Sequence, residues 1–251
     1  MNDASVGVEA GRQPLLSARH LTRRFGGLVA VSDLSFDLYD GEILGLIGPN
    51  GAGKSTTFNL LTGFYRPTNG TVHYAGQRID NLRPEKISRL GMVRTFQHDS
   101  MLGDMTVYDN ILIGTLATLK GGKDRDRRVR DVAELLGIDA HLGETAKSLP
   151  HGIQRLLAIA IAYAGRPKLL CLDEPLTGLN QTEVNHALQI VRELRERNGT
   201  SVLFVEHNIR AVMTLCDRIV VLDAGRKLAE GSPDEVSCDP KVIKAYLGDA
   251  E

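Results

Sequence analysis

From Leu15 onward the chain alternates short aliphatic runs with stretches whose apolar positions recur every three to four residues, and no repeat of fixed period runs through it. Short continuous apolar runs read as strands buried on both faces, and their alternation with helical patterns predicts an α/β fold built on a parallel sheet. Strands are expected over residues 42–48 (EILGLIG), 168–172 (KLLCL), 201–205 (SVLFV) and 218–222 (RIVVL), the last running into the turn Asp223-Ala224-Gly225. The residues after Lys54 (STTFNLLTGF) carry helical spacing, so a strand, a glycine loop and a helix follow one another there. From about Met101 to Tyr163 helical periodicity prevails with few β-branched runs, which predicts a helical subdomain inserted into the core.

Composition narrows the function classes. The 251 residues are 42% hydrophobic and 24% charged, and a chain of this length can bury roughly 70–75% of its unfolded surface. Its 30 basic residues nearly balance 31 acidic ones, a formal net charge of −1, which excludes a highly charged tail protein. No apolar run reaches the roughly 18–20 residues that a bilayer crossing needs; the longest, residues 156–165, lies between Arg155 and Arg166. Residues 1–14 hold no basic start followed by an apolar stretch, so a flexible N-terminus without a secretory signal and a cytosolic location are expected. Cys171, Cys216 and Cys238 are odd in number and widely spaced, and are expected as reduced thiols, mostly in the core. The one charge cluster, residues 123–130 (KDRDRRVR), is interrupted by two aspartates and lacks aromatic interleaving. It is expected as a solvated helix start, with no nucleic-acid partner.

The strongest chemical signal is GPNGAGKST, formed by Gly48, Pro49, Asn50, Gly51, Ala52, Gly53, Lys54, Ser55 and Thr56 between a predicted strand and a predicted helix. The glycines let consecutive backbone N–H groups converge on β- and γ-phosphates, and the helix N-terminus adds its positive dipole. Lys54 would bridge phosphate oxygens and the Ser55 hydroxyl would ligate Mg²⁺. The second acidic site is LLCLDE, which places Asp173 and Glu174 at the end of an aliphatic strand. Asp173 would face the metal, and Glu174 would accept a proton from the attacking water. Carboxylates ending a buried strand are costly unless used.

Together these residues resemble the nucleotide-binding subunit of an ATP-binding-cassette (ABC) transporter, whose motifs occur in the same order across nearly the whole chain. The resemblance implies a RecA-like P-loop NTPase core with a parallel sheet, an antiparallel β edge near the N-terminus and an inserted helical subdomain. One domain would span residues 15–251, with its core at 15–97 and 165–251 and the helical part at about 98–164. ATP and Mg²⁺ would be the ligands, the metal held by Ser55, Gln97 and Asp173. Gln97, in Thr95-Phe96-Gln97, resembles the Q-loop glutamine that reaches Mg²⁺ and the attacking water. His207, in Val205-Glu206-His207, resembles the switch histidine that contacts the γ-phosphate. Phe25 fits the aromatic that stacks on adenine, with Val31 nearby. Thr177-Gly178-Leu179-Asn180 sits where the family has its D-loop, with Asn180 in place of the commoner aspartate.

The signature sequence departs most from the family, whose usual LSGGQ is replaced by Leu149-Pro150-His151-Gly152-Ile153-Gln154. Two readings stay open. In one, Pro150, His151 and Gly152 still open a helix whose N–H groups attract a γ-phosphate held by a partner subunit. In the other, this surface no longer completes the opposite site.

Residues 21–31 (LTRRFGGLVAV), 172–180 (LDEPLTGLN) and 220–248 resemble the ATPases of bacterial branched-chain amino-acid importers. Relatives in the same group import urea, short amides and aromatic acids, and an ATP switch outside transport is a further alternative. The resemblance implies a location on the inner face of the plasma membrane. It also implies two multi-span permease subunits, a second ABC ATPase subunit (a copy or a paralogue) and, indirectly, an extracytoplasmic solute-binding protein. ATP would lie between the phosphate loop of one cassette and the Gly152 segment of the other. Residues 98–110, with Met101, Leu102 and Met105, would meet a permease helix.

Overall fold

The computed structural model describes residues 13–95 and 101–247. Its centre is a six-stranded sheet in the order β10-β9-β3-β8-β7-β6. The strands are β3 (Ile43–Ile47), β6 (Met92–Arg94), β7 (Leu169–Asp173), β8 (Ser201–Val205), β9 (Arg218–Asp223) and β10 (Arg226–Gly231). All pairings are parallel except that of β10 with β9.

Period-2 alternation explains why these strands read as unbroken apolar runs. In β8, Val202 and Phe204 join the core on one face while Leu203 and Val205 join the core on the other. In β7, Leu170 and Leu172 divide in the same way from Leu169 and Cys171. A sheet buried on both faces leaves no position for a polar side chain until the strand ends.

On one face lie α1 (Lys54–Leu61) and an antiparallel sheet of β1 (Leu16–Phe25), β2 (Leu28–Leu38), β4 (Asn69–Tyr74) and β5 (Gln77–Arg78), ordered β2-β1-β4-β5. The antiparallel strands expected as an edge thus form a separate sheet. Leu34, Phe36 and Leu38 of β2 face the shared core at every second position.

The other face is covered by helices. Whereas α2 (Pro84–Arg89), between β5 and β6, packs Ile87 into the core on the antiparallel-sheet side, this cover is built from α3 (Val107–Thr115), α4 (Gly122–Leu135), α5 (His151–Ala164), α6 (Gln181–Asn198) and α7 (Ile209–Leu215). The short α8 (Pro233–Cys238) and α9 (Pro240–Leu247) close the described chain. Gly45 in β3 permits close packing of α7, because a Cβ there would come within 2.8 Å of Val212 and 3.0 Å of the Cys216 sulfur.

One expectation needs correction. The charge cluster does open α4, but Arg128 within it is buried and donates to the carbonyls of Tyr163 (2.7 Å) and Ala164 (3.2 Å) at the end of α5. Its cation thereby satisfies carbonyls that the helix itself leaves free. The thiols lie as expected, free and mostly in the core: Cys171 and Cys216 are buried and Cys238 is exposed, and burial pushes the Cys171 pKa up to about 12. No described helix is long and apolar enough to cross a membrane.

Candidate functional site

The strand order decides where the chemistry gathers. β8 lies between β3 and β7, and Val205 is in register with both Leu46 and Asp173. The segments leaving the C-terminal ends of these strands therefore emerge side by side: the phosphate loop after β3, Glu174 after β7 and His207 after β8. Ligands of open α/β sheets bind at this end of the strands.

The loop is held from outside by backbone. Gly53 has φ +97°, and a Cβ on it would stand 2.6 Å from the carbonyl oxygen of Ala30 in β2. A Cβ on Gly225, in the β9–β10 turn, would stand 2.7 Å from the same oxygen. Gly225 also donates to the carbonyl of Ala52 (3.0 Å) and accepts from the Ser32 amide (2.8 Å), so β2, the turn and the loop form one clamp.

Helix α1 begins at Lys54 with no side-chain cap, which leaves its first N–H groups for an outside acceptor. Lys54 is buried and donates to the carbonyls of Gly48 (2.8 Å) and Pro49 (3.1 Å). Burial lowers its pKa, against the opposing charges of Glu174, Asp173 and Glu206. Ser55 and Gly51 are exposed, and beside them opens a cavity of about 480 Å³ lined by Leu28, Asn50, Ser55, Thr56, Glu174 and Ala224 among others.

Asp173 is buried, and its amide donates to the Thr95 hydroxyl at 3.3 Å. Glu174 adopts φ +48°, a conformation that costs a residue with a Cβ on the order of 1–3 kcal/mol. Its amide donates to the Val205 carbonyl at 2.8 Å, which fixes the strained turn. The Glu174 Oε1 then lies 3.8 Å from Nδ1 of His207, which is half exposed. Gln97, predicted beside them, lies outside the described residues.

The donor set fits a nucleotide triphosphate and its Mg²⁺. An uncapped helix start, a buried lysine and a glycine cradle suit phosphate, while Ser55 and Asp173 offer the few oxygens that Mg²⁺ takes from a protein when phosphates supply the rest. Among the described residues no three His, Cys, Asp or Glu side chains are grouped to hold a metal alone.

The signature segment lies on the other flank. Pro150 is the N-cap of α5 and His151 its first residue, both exposed, and no side chain caps this helix either. Gly152 is buried: a Cβ there would come within 2.5 Å of Glu183 Oε1. Asn180 caps α6, accepting from the Thr182 (3.0 Å) and Glu183 (3.1 Å) amides, while Glu183 accepts from the Asn180 amide at 2.9 Å. The His151 ring lies against Gly178, where a Cβ would meet its Cε1 at 2.8 Å. The two departures from the family pattern, Pro150-His151 and Asn180, thus belong to one packed unit.

With this geometry in view, comparison with known proteins is decisive. The family model described as ABC transporter matches residues 31–177, and a second, described as branched-chain amino acid ATP-binding cassette transporter, matches residues 226–251. The chain belongs to the ABC transporter ATP-binding family. The cassette is 42% identical to the high-affinity branched-chain amino acid transport ATP-binding protein LivG of Escherichia coli, covering 95% of this chain and 99% of that protein. It is 38% identical to BraF of Pseudomonas aeruginosa, a protein of the same description, over the same shares. Among solved structures, the ADP conformation of an ATP-binding cassette from an ABC transporter superposes with a TM-score of 0.85 at 29% identity, covering 94% of this chain and all of that one.

Of the two residues expected near adenine, Val31 does not fit that role. Val31 is fully buried in the core beneath Gly53 and presents no surface to a ligand, because its β2 position points inward. Phe25 is partly exposed and pairs edge-on with Tyr65 at 5.4 Å, with the Arg23 guanidinium over both rings. The cavity wall is instead Leu28, Val29 and Ala30, which follow the β1–β2 turn.

Sequence reasoning also missed Arg94. Its guanidinium lies 4.4 Å and 4.5 Å from the rings of Phe58 and Phe64, donates to Asn59 (2.7 Å) and Thr62 (3.0 Å), and comes within 3.8 Å of Asp173. It joins the phosphate-loop helix to the carboxylate strand. A charged residue ending an apolar strand just before Thr95 is the only signal that pointed to it.

Proposed function

We propose that this chain is the ATP-binding and ATP-hydrolysing subunit of a bacterial importer for branched-chain amino acids, working on the inner face of the membrane. The observation that carries the hydrolytic part is the convergence of the phosphate loop, Glu174 and His207 at the ends of three adjacent strands, with Glu174 Oε1 and His207 Nδ1 3.8 Å apart. The loop N–H groups and Lys54 hold the phosphates, and Ser55 and Asp173, with Gln97, are the residues suited to hold Mg²⁺. That ion, when bound, neutralises charge on the β- and γ-phosphate oxygens. Glu174 accepts the proton of the attacking water, and the strained φ keeps its carboxylate at the strand end and clear of the core. His207 orients toward the terminal phosphate from the neighbouring strand.

Pairing of two cassettes is supported by α5, whose uncapped start beside the exposed Pro150 and His151 suits a γ-phosphate held by the opposite loop. ATP would then act as a ligand of the closed dimer and favour it by its differential affinity. For contact with the permeases, a cleft of about 230 Å³ lies between the sheet edge and the helices, lined by Val93, Arg94, Ile113, Ala117 and Ile161 among others. Leu102, Met105 and Leu116 are exposed nearby in the chain, whereas Met101 is half buried against the core. The cargo reading is supported by the C-terminal family match and by LivG and BraF. Two permeases, a second cassette and an extracytoplasmic binding protein complete the proposed importer.

The test is Glu174→Gln. ATP should still bind and hydrolysis should fall about 10²–10⁴-fold, the range of a general base, while ATP-dependent dimers accumulate. Unchanged hydrolysis would overturn the assignment. Capture of the chain with two permeases, followed by ligand binding to the associated solute-binding protein, tests the cargo.

A further inference from the structure

Glu206 is fully buried at the end of β8, one residue before the switch histidine, and the catalytic reading leaves it unused. Three backbone N–H groups from two segments point at its carboxylate. Leu176 donates to Oε1 at 2.9 Å from the segment that follows Glu174, and His207 and Asn208 donate to Oε2 at 3.1 and 3.4 Å. The Glu206 amide itself bonds to the Leu46 carbonyl of β3 at 3.4 Å. The side chain thus ties the segment after Glu174 to the switch segment, and the amide of the same residue joins them to the strand that leads into the phosphate loop.

The imidazole sits between two carboxylates. Its Nδ1 lies 3.8 Å from Glu174 Oε1 on the open side and 3.8 Å from Glu206 Oε2 on the dry side. A Ser or Thr at position 206 would offer one hydroxyl acceptor and no charge; the two carboxylate oxygens accept from both segments at once.

We infer that Glu206 is a positioning residue for ATP hydrolysis, locking the segment after Glu174 to the switch segment so that His207 is held at a fixed height and orientation opposite Glu174. The inference rests on the reading that Glu174 and His207 serve hydrolysis. Burial raises the Glu206 pKa, and the three N–H groups and His207 act against that rise. The carboxylate therefore depends on the backbone donors it organises, and losing it releases both segments together. Misplacement of a reacting group by about 1 Å costs on the order of 10²-fold in rate.

The experiment is a double-mutant cycle on the full-length chain, with ATP turnover, KM for ATP and thermal midpoint measured for Glu206→Gln, His207→Ala and the double variant. Glu206→Gln should lower kcat about 10–100-fold with KM for ATP within about twofold of the parent. The double variant should be no slower than His207→Ala by more than about threefold, because residues acting through one group are not additive. Glu206→Asp, which keeps both acceptors on a shorter arm, should fall between the parent and Glu206→Gln and provides a second fold-preserving probe. If the double variant shows the product of the two single losses, or if Glu206→Gln keeps the parental kcat, the positioning role is wrong. If His207→Ala alone keeps the parental kcat, it is the underlying reading of His207 that fails.

Discussion

Helices α1 and α5 both begin without a side-chain cap, and both carry a glycine that another part of the chain crowds, yet the walls around those glycines differ in kind. Gly53 meets a backbone carbonyl, Ala30, in a conformation with φ +97°. Gly152 meets the far end of a side chain, Glu183. The phosphate loop is therefore fixed by main chain that cannot yield, while the α5 opening is fixed by a carboxylate that can turn away. One opening is built to be complete within a single chain. The other is built to adjust.

The largest effect should come from Gly53→Ala. It places a Cβ against the Ala30 carbonyl and demands a positive φ, a strain on the order of 1–3 kcal/mol, and ATP affinity should fall about 5- to 150-fold in a nucleotide-binding titration. Gly152→Ala should be far milder: Glu183 can swing aside, so the thermal midpoint should move by less than about 2 °C, about 1 kcal/mol or less for a domain of this size. Affinity for ATP in the isolated chain should not change. Equal damage from the two variants would break the comparison, because it would mean that Glu183 is as rigid as a carbonyl.

Asn180→Ala sharpens it further. It removes the Oδ1 that accepts from the Thr182 and Glu183 amides while the backbone amide at position 180 still holds the Glu183 carboxylate over Gly152, at a cost of roughly 1 kcal/mol, read as a fall of about 2–4 °C in thermal midpoint. A smaller effect should follow pH. Burial raises the folded-state pKa of Glu206 above its unfolded value, so folding binds a proton between the two values. Its contribution is present below the unfolded pKa and is lost as pH rises through the folded one. Glu206→Gln should gain stability relative to the parent as pH rises across that window, measured by chemical denaturation; no pH-dependent difference between the two would contradict the shift.

What was legible in the sequence is what chemistry packs into a few consecutive residues. Gly48 to Thr56, Asp173 with Glu174, and His207 each follow an apolar run, and the parallel sheet brings those run ends together. Contacts between distant segments were not legible. Nothing near His151 announces that its ring will rest on Gly178, and nothing near Glu183 announces that it will cover Gly152. Val31 was misread because a residue close to a loop in sequence can face either side of its strand, and here it faces the core. Arg94 was passed over because β6 is only three residues long, too short to display a pattern of its own.

The order of strands also bears on how the molecule is made. The central pair of the site is not contiguous: β3 ends at residue 47, β7 begins at residue 169, and the strand that must lie between them begins only at residue 201. A nascent chain that has not yet emerged past that point carries the glycine loop and both carboxylates of 173–174, but β3 and β7 have no shared neighbour to set their spacing. Pairings between such distant segments form slowly, because loop closure precedes any reward from contact. The strand ends that carry the glycine loop and the carboxylates therefore gain a shared neighbour only late in synthesis, when β8 can pair with both, and the clamp on the loop waits later still for Gly225 in the β9–β10 turn.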